Sequence, residues 1–166
     1  RVKDKTELID VTRYVLENFN QPALIETFLP GREFTTAIIG TGKDARVIGT
    51  MEILFKDHIK DPFYSYFNKE NYQGILDYEL VKDKAAEDSC SEVALAAWQA
   101  LGCRDAGRID LKMDENNIPN FIEVNPLAGL RPIHSDLIII AGLKGICYSE
   151  LIGNIMQQAI KRVGLK

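Results

Sequence analysis

The sequence predicts an α+β fold, an antiparallel sheet with flanking helices. Three observations carry that expectation. β-rich runs come in neighbouring pairs separated by turn residues, and they do not alternate one by one with helices. Two stretches near the middle and end, residues 84–101 and 149–163, place apolar side chains at helical spacing. The composition, 46% hydrophobic and 27% charged over 166 residues, is that of roughly one globular domain.

The elements follow in order. Leu8, Val11, Thr12, Val15 and Leu16 recur at helical spacing, so residues 4–18 read as an amphipathic helix, stopped by Asn20-Gln21-Pro22. Two β-rich runs, 23–29 and 33–40, are separated by the turn dipeptide Pro30-Gly31. A third run covers 46–55. Residues 56–71 are polar and aromatic with one proline, a long excursion of the kind that is functional or disordered in compact domains. A short strand at 78–81 precedes a helix over 84–101, marked by Ala86, Val93, Ala94, Ala97, Trp98 and Leu101 and ended by Gly102. Residues 108–114 and 120–125 alternate as two strands around Asp114-Glu115-Asn116-Asn117, a hairpin signal. Helices at 135–141 and 149–163 close the chain, with Ser149 as the expected N-cap of the last.

Charge narrows the function classes. Twenty basic against 24 acidic residues leave a net charge of -4. The densest basic run, Lys161-Arg162 with Lys166, sits at a helix C-terminus where the dipole favours cations. A nucleic-acid partner, which calls for a basic stripe, is therefore not expected. The longest apolar stretches, such as Leu137-Ile138-Ile139-Ile140-Ala141, fall far short of the ~20 residues of a membrane span, and no secretory signal opens the sequence. Cys90, Cys103 and Cys147 are odd in number and lack zinc-ligand spacing, so buried, reduced thiols and a cytoplasmic setting are expected.

The sharpest chemistry lies in the hairpin Gly107-Arg108-Ile109-Asp110-Leu111-Lys112-Met113 and Phe121-Ile122-Glu123-Val124-Asn125-Pro126. Strand side chains alternate faces, so Ile109, Leu111 and Met113 share one face while Arg108, Asp110 and Lys112 share the other. A register that buries these with Ile122 and Val124 must gather Arg108, Asp110, Glu123 and Asn125 on one common face. Adjacent carboxylates repel unless a cation sits between them, and an oxygen-only donor set suits Mg²⁺. The same pattern also describes the solvated polar face of an ordinary hairpin.

Downstream, Asn125-Pro126-Leu127-Ala128-Gly129-Leu130 leads into His134-Ser135-Asp136 before a helix. Gly129 permits close backbone approach to a ligand, and exposed amides at the helix start, with Ser135, would receive a carboxylate or phosphate. Helix capping alone is the other reading of His134-Ser135-Asp136. Residues adjacent in sequence cannot form a hydrolase triad.

Three segments together resemble the ATP-grasp ligases: residues 25–35 (Ile25-Glu26-Thr27-Phe28-Leu29-Pro30-Gly31-Arg32-Glu33-Phe34-Thr35), residues 101–110 (Leu101 through Asp110), and Phe121-Ile122-Glu123-Val124-Asn125-Pro126. Within that superfamily the sequence is most similar to D-alanine–D-alanine ligases and their relatives, whose glycine-and-serine tail resembles Gly129 through His134-Ser135. The motifs stand in family order and span almost the whole chain. The resemblance implies the C-terminal subdomain of an ATP-grasp fold.

Position by position, the resemblance implies that Glu26, Thr27, Phe28 and Leu29 face adenine and that Glu33 accepts the ribose hydroxyls. Tyr64-Ser65-Tyr66-Phe67-Asn68-Lys69 fits the segment that sets a lysine on the phosphates, with Lys69 in that role; Phe67 departs from the usual acid, and Lys82 is a weaker rival. Asp110, Glu123 and Asn125 would hold two Mg²⁺ ions, with Mn²⁺ as the alternative. Arg108 and the Gly129 amide would stabilise the acyl phosphate and oxyanion, and Ser135 would bind the acceptor's carboxylate. The segment Gly129-Leu130-Arg131-Pro132-Ile133 is longer than is usual in the family, which leaves the acceptor register open.

ATP and a small amino acid are thus the implied partners, with a homodimer for the full-length protein. Gly40-Thr41-Gly42-Lys43 is too short for a Walker A loop and reads as a hairpin turn. The family's substrate domain and glycine-rich loop have no counterpart in these 166 residues, so the chain is expected to be a C-terminal fragment. Two further readings stay open: an ATP-grasp ligase for another amine, and a non-catalytic Mg-nucleotide-binding module.

Overall fold

A computed structural model describes residues 1–55 and 76–165. Lys69 and the excursion at 56–71 lie outside the described residues. Five strands form one sheet in the order β3-β2-β1-β4-β5, with every neighbouring pair antiparallel: β1 (Glu33–Ile39), β2 (Arg46–Phe55), β3 (Leu76–Leu80), β4 (Ala106–Met113) and β5 (Pro119–Asn125). The described helices are α1 (Lys5–Phe19), α2 (Lys84–Ala100), α3 (Asp136–Leu143) and α4 (Tyr148–Val163). The α+β expectation and the antiparallel sheet hold. None of these helices alone is long and apolar enough to cross a membrane.

Strand β1 is central because both its faces are covered. Phe34 and Ile38 join Ile109, Leu111 and Met113 of β4 beneath Ala86, Cys90, Ala94 and Trp98 of α2. Ala37 and Ile39 join Met51 beneath Leu137, Ile140 and Ala141 of α3 and Leu151 of α4. The polar residues this burial encloses are paired: Thr36 with Thr50, hydroxyl to hydroxyl at 3.0 Å, and Thr35 with Asp110. Burial without such partners would cost about 1–3 kcal/mol per group.

Local chemistry fixes the helix ends. Asp83 Oδ1 accepts from the amides of Ala85 (3.0 Å) and Ala86 (3.4 Å), capping α2. At the other end of α2, Trp98 is fully buried and its Nε1–H donates to the Gly40 carbonyl at 3.0 Å. Gly107 faces that ring: a Cβ there would lie 2.5 Å from the Asn125 carbonyl oxygen and 2.8 Å from the indole. Glycine is therefore required at the start of the hairpin. The predicted turn closes as Asp114 Oδ1 accepts from the amides of Asn116 and Ile118 at 2.8 and 2.9 Å.

Four expectations are corrected. Residues 23–29 form no strand: β2 and β4 occupy both sides of β1, so the turn at Pro30-Gly31 cannot fold the segment back beside it as a hairpin. Ile122 is half exposed, not buried with Val124, because a bulge at Asp110/Leu111 leaves it without a register partner. Cys147, not Ser149, is the N-cap of α4; its extended backbone precedes the helix and its carbonyl accepts from Leu151. That position also leaves Cys147 exposed, whereas Cys90 and Cys103 are buried as expected.

Candidate active site

The antiparallel pairings bring the sequence-distant candidates together. Strand β4 is flanked by β1 and β5, so Asp110 lies opposite Thr35 on one side and Glu123 on the other. In the same way Arg108 lies opposite Ala37 and Asn125, and Lys112 opposite Glu33 and Asn120. The hairpin register is the expected one: Arg108, Asp110, Glu123 and Asn125 share a face.

Asp110 is the buried member of the group. Its Oδ1 accepts from Thr35 Oγ1 at 3.0 Å, and its carboxyl is close enough to Glu123 for the two to share a hydrogen bond. The Asn125 side-chain amide spans both acids, 3.1 Å from Glu123 Oε1 and 3.4 Å from Asp110 Oδ2. Burial, reinforced by Glu123 and opposed by Arg108 and Thr35, pushes the Asp110 carboxyl up to about 7. Two acids crowded into this arrangement share a proton in the absence of a cation. The oxygen donors fit a hard divalent ion, which would draw on both carboxylates and water. Among the described residues no three His, Cys, Asp or Glu side chains converge, so the donor set here is two carboxylates and Asn125.

Beside this pair, one cleft of about 780 Å³ is lined by Glu26, Thr27, Phe28, Leu29 and Glu33 together with Lys112, Phe121, Ile122 and Glu123. The segment singled out for a nucleotide and one of the two acids thus face the same space. Glu33 Oε2 accepts from Lys112 Nζ at 2.7 Å, with both side chains about 15% exposed. Lys112, Phe121 and Ile122 were not anticipated as lining residues. Alternation placed Lys112 on the correct face, but the bulge that turns Ile122 into the cleft has no mark in the hydrophobic pattern. Thr35 was missed because its pairing to Asp110 bridges 75 residues.

Arg108 donates to Asp136 at the start of α3 and lies 3.4 Å from Asp110 Oδ1. Gly129 and Ser135 also meet: a Cβ on Gly129 would lie 2.8 Å from Ser135 Oγ. That hydroxyl accepts from the Arg131 amide at 2.9 Å. The backbone of Ile133, between Gly129 and Ser135, is left-handed, φ 71°.

The chain is similar in sequence and fold to known proteins. The D-alanine–D-alanine ligase of Bordetella petrii is 34% identical over 145 residues, covering 87% of this chain and 43% of its own length. That of Alcanivorax borkumensis is 29% identical over 162 residues, 96% of this chain and 49% of its own. Among solved structures, a D-alanine–D-alanine ligase from Bacillus anthracis, complexed with ATP, superposes with a TM-score of 0.71 at 25% identity, over 96% of this chain and 48% of that one. The VanG D-Ala:D-Ser ligase of Enterococcus faecalis shares the fold, with a TM-score of 0.68 at 21% identity over 93% of this chain and 43% of that one. The chain spans about half the length of the curated relatives it matches. A family described as D-ala D-ala ligase C-terminus matches residues 1–157, and the chain belongs to that family.

Proposed function

We propose that this chain is the metal- and adenine-binding part of an ATP-grasp ligase that joins two D-alanine molecules. The product would serve peptidoglycan precursor synthesis. One observation carries the reading: the 26–33 segment and the carboxylate hairpin line a single cleft. In this reading the cleft receives a nucleotide, and Glu123, which lines it, together with the neighbouring Asp110 would serve the phosphates.

In this reading Glu26, Thr27, Phe28 and Leu29 receive the base and Glu33 the ribose. Asp110, Glu123 and Asn125 would hold two Mg²⁺ ions, or Mn²⁺, which supply charge neutralisation to the β- and γ-phosphates. Lys69 would meet the same phosphates. A carboxylate oxygen of the first D-alanine attacks the γ-phosphorus of ATP, giving an acyl phosphate and ADP. The amine of the second D-alanine then adds to the acyl carbon, and phosphate leaves with that carboxylate oxygen. Arg108 and the Gly129 amide stabilise the charge on the tetrahedral oxygen, and Ser135 holds the acceptor's carboxylate. Such transfer asks the protein mainly for positioning and charge neutralisation, and no side chain acts as a nucleophile.

A second reading, a ligase for a different amino-acid acceptor, is favoured by the left-handed backbone of Ile133 near Ser135, an uncommon conformation for a β-branched residue in the segment that would meet the acceptor. ADP release by the intact protein across an amino-acid panel separates the two. Stimulation by D-alanine supports the first; stimulation only by other amines rejects it. A wild-type protein that binds ATP and Mg²⁺ yet releases no ADP with any amino acid would reject both in favour of a non-catalytic module.

A further inference from the structure

Asp136, the first residue of α3, has no part in the roles above. Yet its carboxylate accepts a hydrogen bond from Arg108 of β4, and the two side chains are only 11% and 14% exposed. An acid in the first turn of a helix is favoured by the dipole alone. That effect requires no partner, and it does not account for an aspartate enclosed against a guanidinium 28 residues away.

The pair has two structural consequences. Arg108 already lies 3.4 Å from Asp110 Oδ1, and a guanidinium readily takes a carboxylate in a two-pronged grip. Asp136 draws it toward the helix and leaves Asp110 facing Glu123 and Asn125. The second consequence concerns residues 126–135, which carry Gly129 and Ser135 from β5 to α3. This connection is wound tightly, with Ser135 Oγ accepting from the Arg131 amide and Ile133 in the left-handed region. A β-branched residue stays in that conformation only where its surroundings fix it. The Asp136 tie fixes the C-terminal end of the connection directly to strand β4.

We infer that Asp136 is a positioning residue: by binding Arg108 it holds the oxyanion-side cation and the Gly129–Ser135 connection in one rigid frame. The assignment rests on the function proposed above and extends it to the acceptor half of the site. Misplacing a reacting group by about 1 Å costs on the order of a hundredfold in rate, so the frame matters for the second half-reaction more than for nucleotide binding.

The test is steady-state kinetics of the intact protein with Asp136→Asn and Asp136→Glu, varying ATP and D-alanine separately. For Asp136→Asn the expected result is a fall of about tenfold or more in kcat/KM for the acceptor D-alanine, with KM for ATP within about twofold of wild type. Asp136→Glu should recover most of that loss. Amide hydrogen exchange gives a readout independent of turnover: residues 127–135 should exchange faster in Asp136→Asn while α2 is unchanged. Wild-type kinetics in Asp136→Asn, a loss shared equally by ATP and acceptor, or unchanged exchange at 127–135 would each overturn the assignment. A wild-type protein that binds no ATP and releases no ADP would instead overturn the proposed function, with the exchange result still deciding whether the tie exists.

Discussion

Replacing Asp110 by asparagine should make the cation-free protein more stable while removing its response to divalent ions. The carboxyl is buried, faces Glu123, and is held up at about 7, against the ordinary value of 3.8. In the unfolded chain it ionises near 4, whereas the folded protein keeps the proton until about 7. Wild-type stability therefore falls as pH rises from about 4 to about 7 and stays low above that. At about 1.4 kcal/mol per pH unit the ceiling on this loss is roughly 4 kcal/mol. Asparagine carries no charge, can still accept from Thr35, and can donate to Glu123, but it gives up the ionic attraction of Arg108. A net gain of about 1–3 kcal/mol at pH 8 is the expected result. Urea unfolding in EDTA, followed by fluorescence of Trp98, the only tryptophan in the chain, reads it directly. The gain should vanish at pH 4, and Mg²⁺ or Mn²⁺ should stabilise wild type but not the variant. A variant destabilised at pH 8, or one that answers to Mg²⁺ like wild type, would refute the account of this pair.

Other predictions follow from the same geometry. Gly107→Ala forces a Cβ against the Trp98 ring and the Asn125 carbonyl and should cost about 1–3 kcal/mol, read by denaturant unfolding. Cys147, exposed and with its thiol lowered by the Ser149 hydroxyl and the start of α4, should react rapidly with a thiol reagent near neutral pH. Cys90, which burial pushes up to about 11, should react only on unfolding; equal rates for the two would contradict the core assignment. Under the proposed function, Glu33→Gln should raise KM for ATP with little change in KM for D-alanine, since Glu33 lines the cleft shared with residues 26–29 and not the 126–135 connection.

The extent to which this fold was readable depends on where its determinants lie. Helix α2 is written in the spacing of Ala86, Ala94 and Trp98 and in the cap at Asp83, all local features. The hairpin of β4 and β5 was equally legible, because alternation and a short turn determine its register. What alternation could not reveal was the extra residue at Ile122, since a bulge changes the register without changing the hydrophobic pattern. The run at 23–29 misled for a different reason: Leu24 and Ile25 are apolar, but both stay exposed, and the neighbouring strand β1 is already paired on both sides. For the site, Asp110, Glu123 and Asn125 could be placed on one face from sequence alone. Thr35, Lys112 as the partner of Glu33, and Asp136 could not, because each depends on a contact between elements far apart in the chain.

The central claim is that a D-alanine carboxylate is activated as an acyl phosphate at this site. It is tested most directly by giving the intact protein ATP, Mg²⁺ and D-alanine labelled with ¹⁸O in the carboxylate. The account predicts that each turnover transfers one labelled oxygen to the inorganic phosphate released alongside ADP. Peptide formation accompanied by unlabelled phosphate would contradict it.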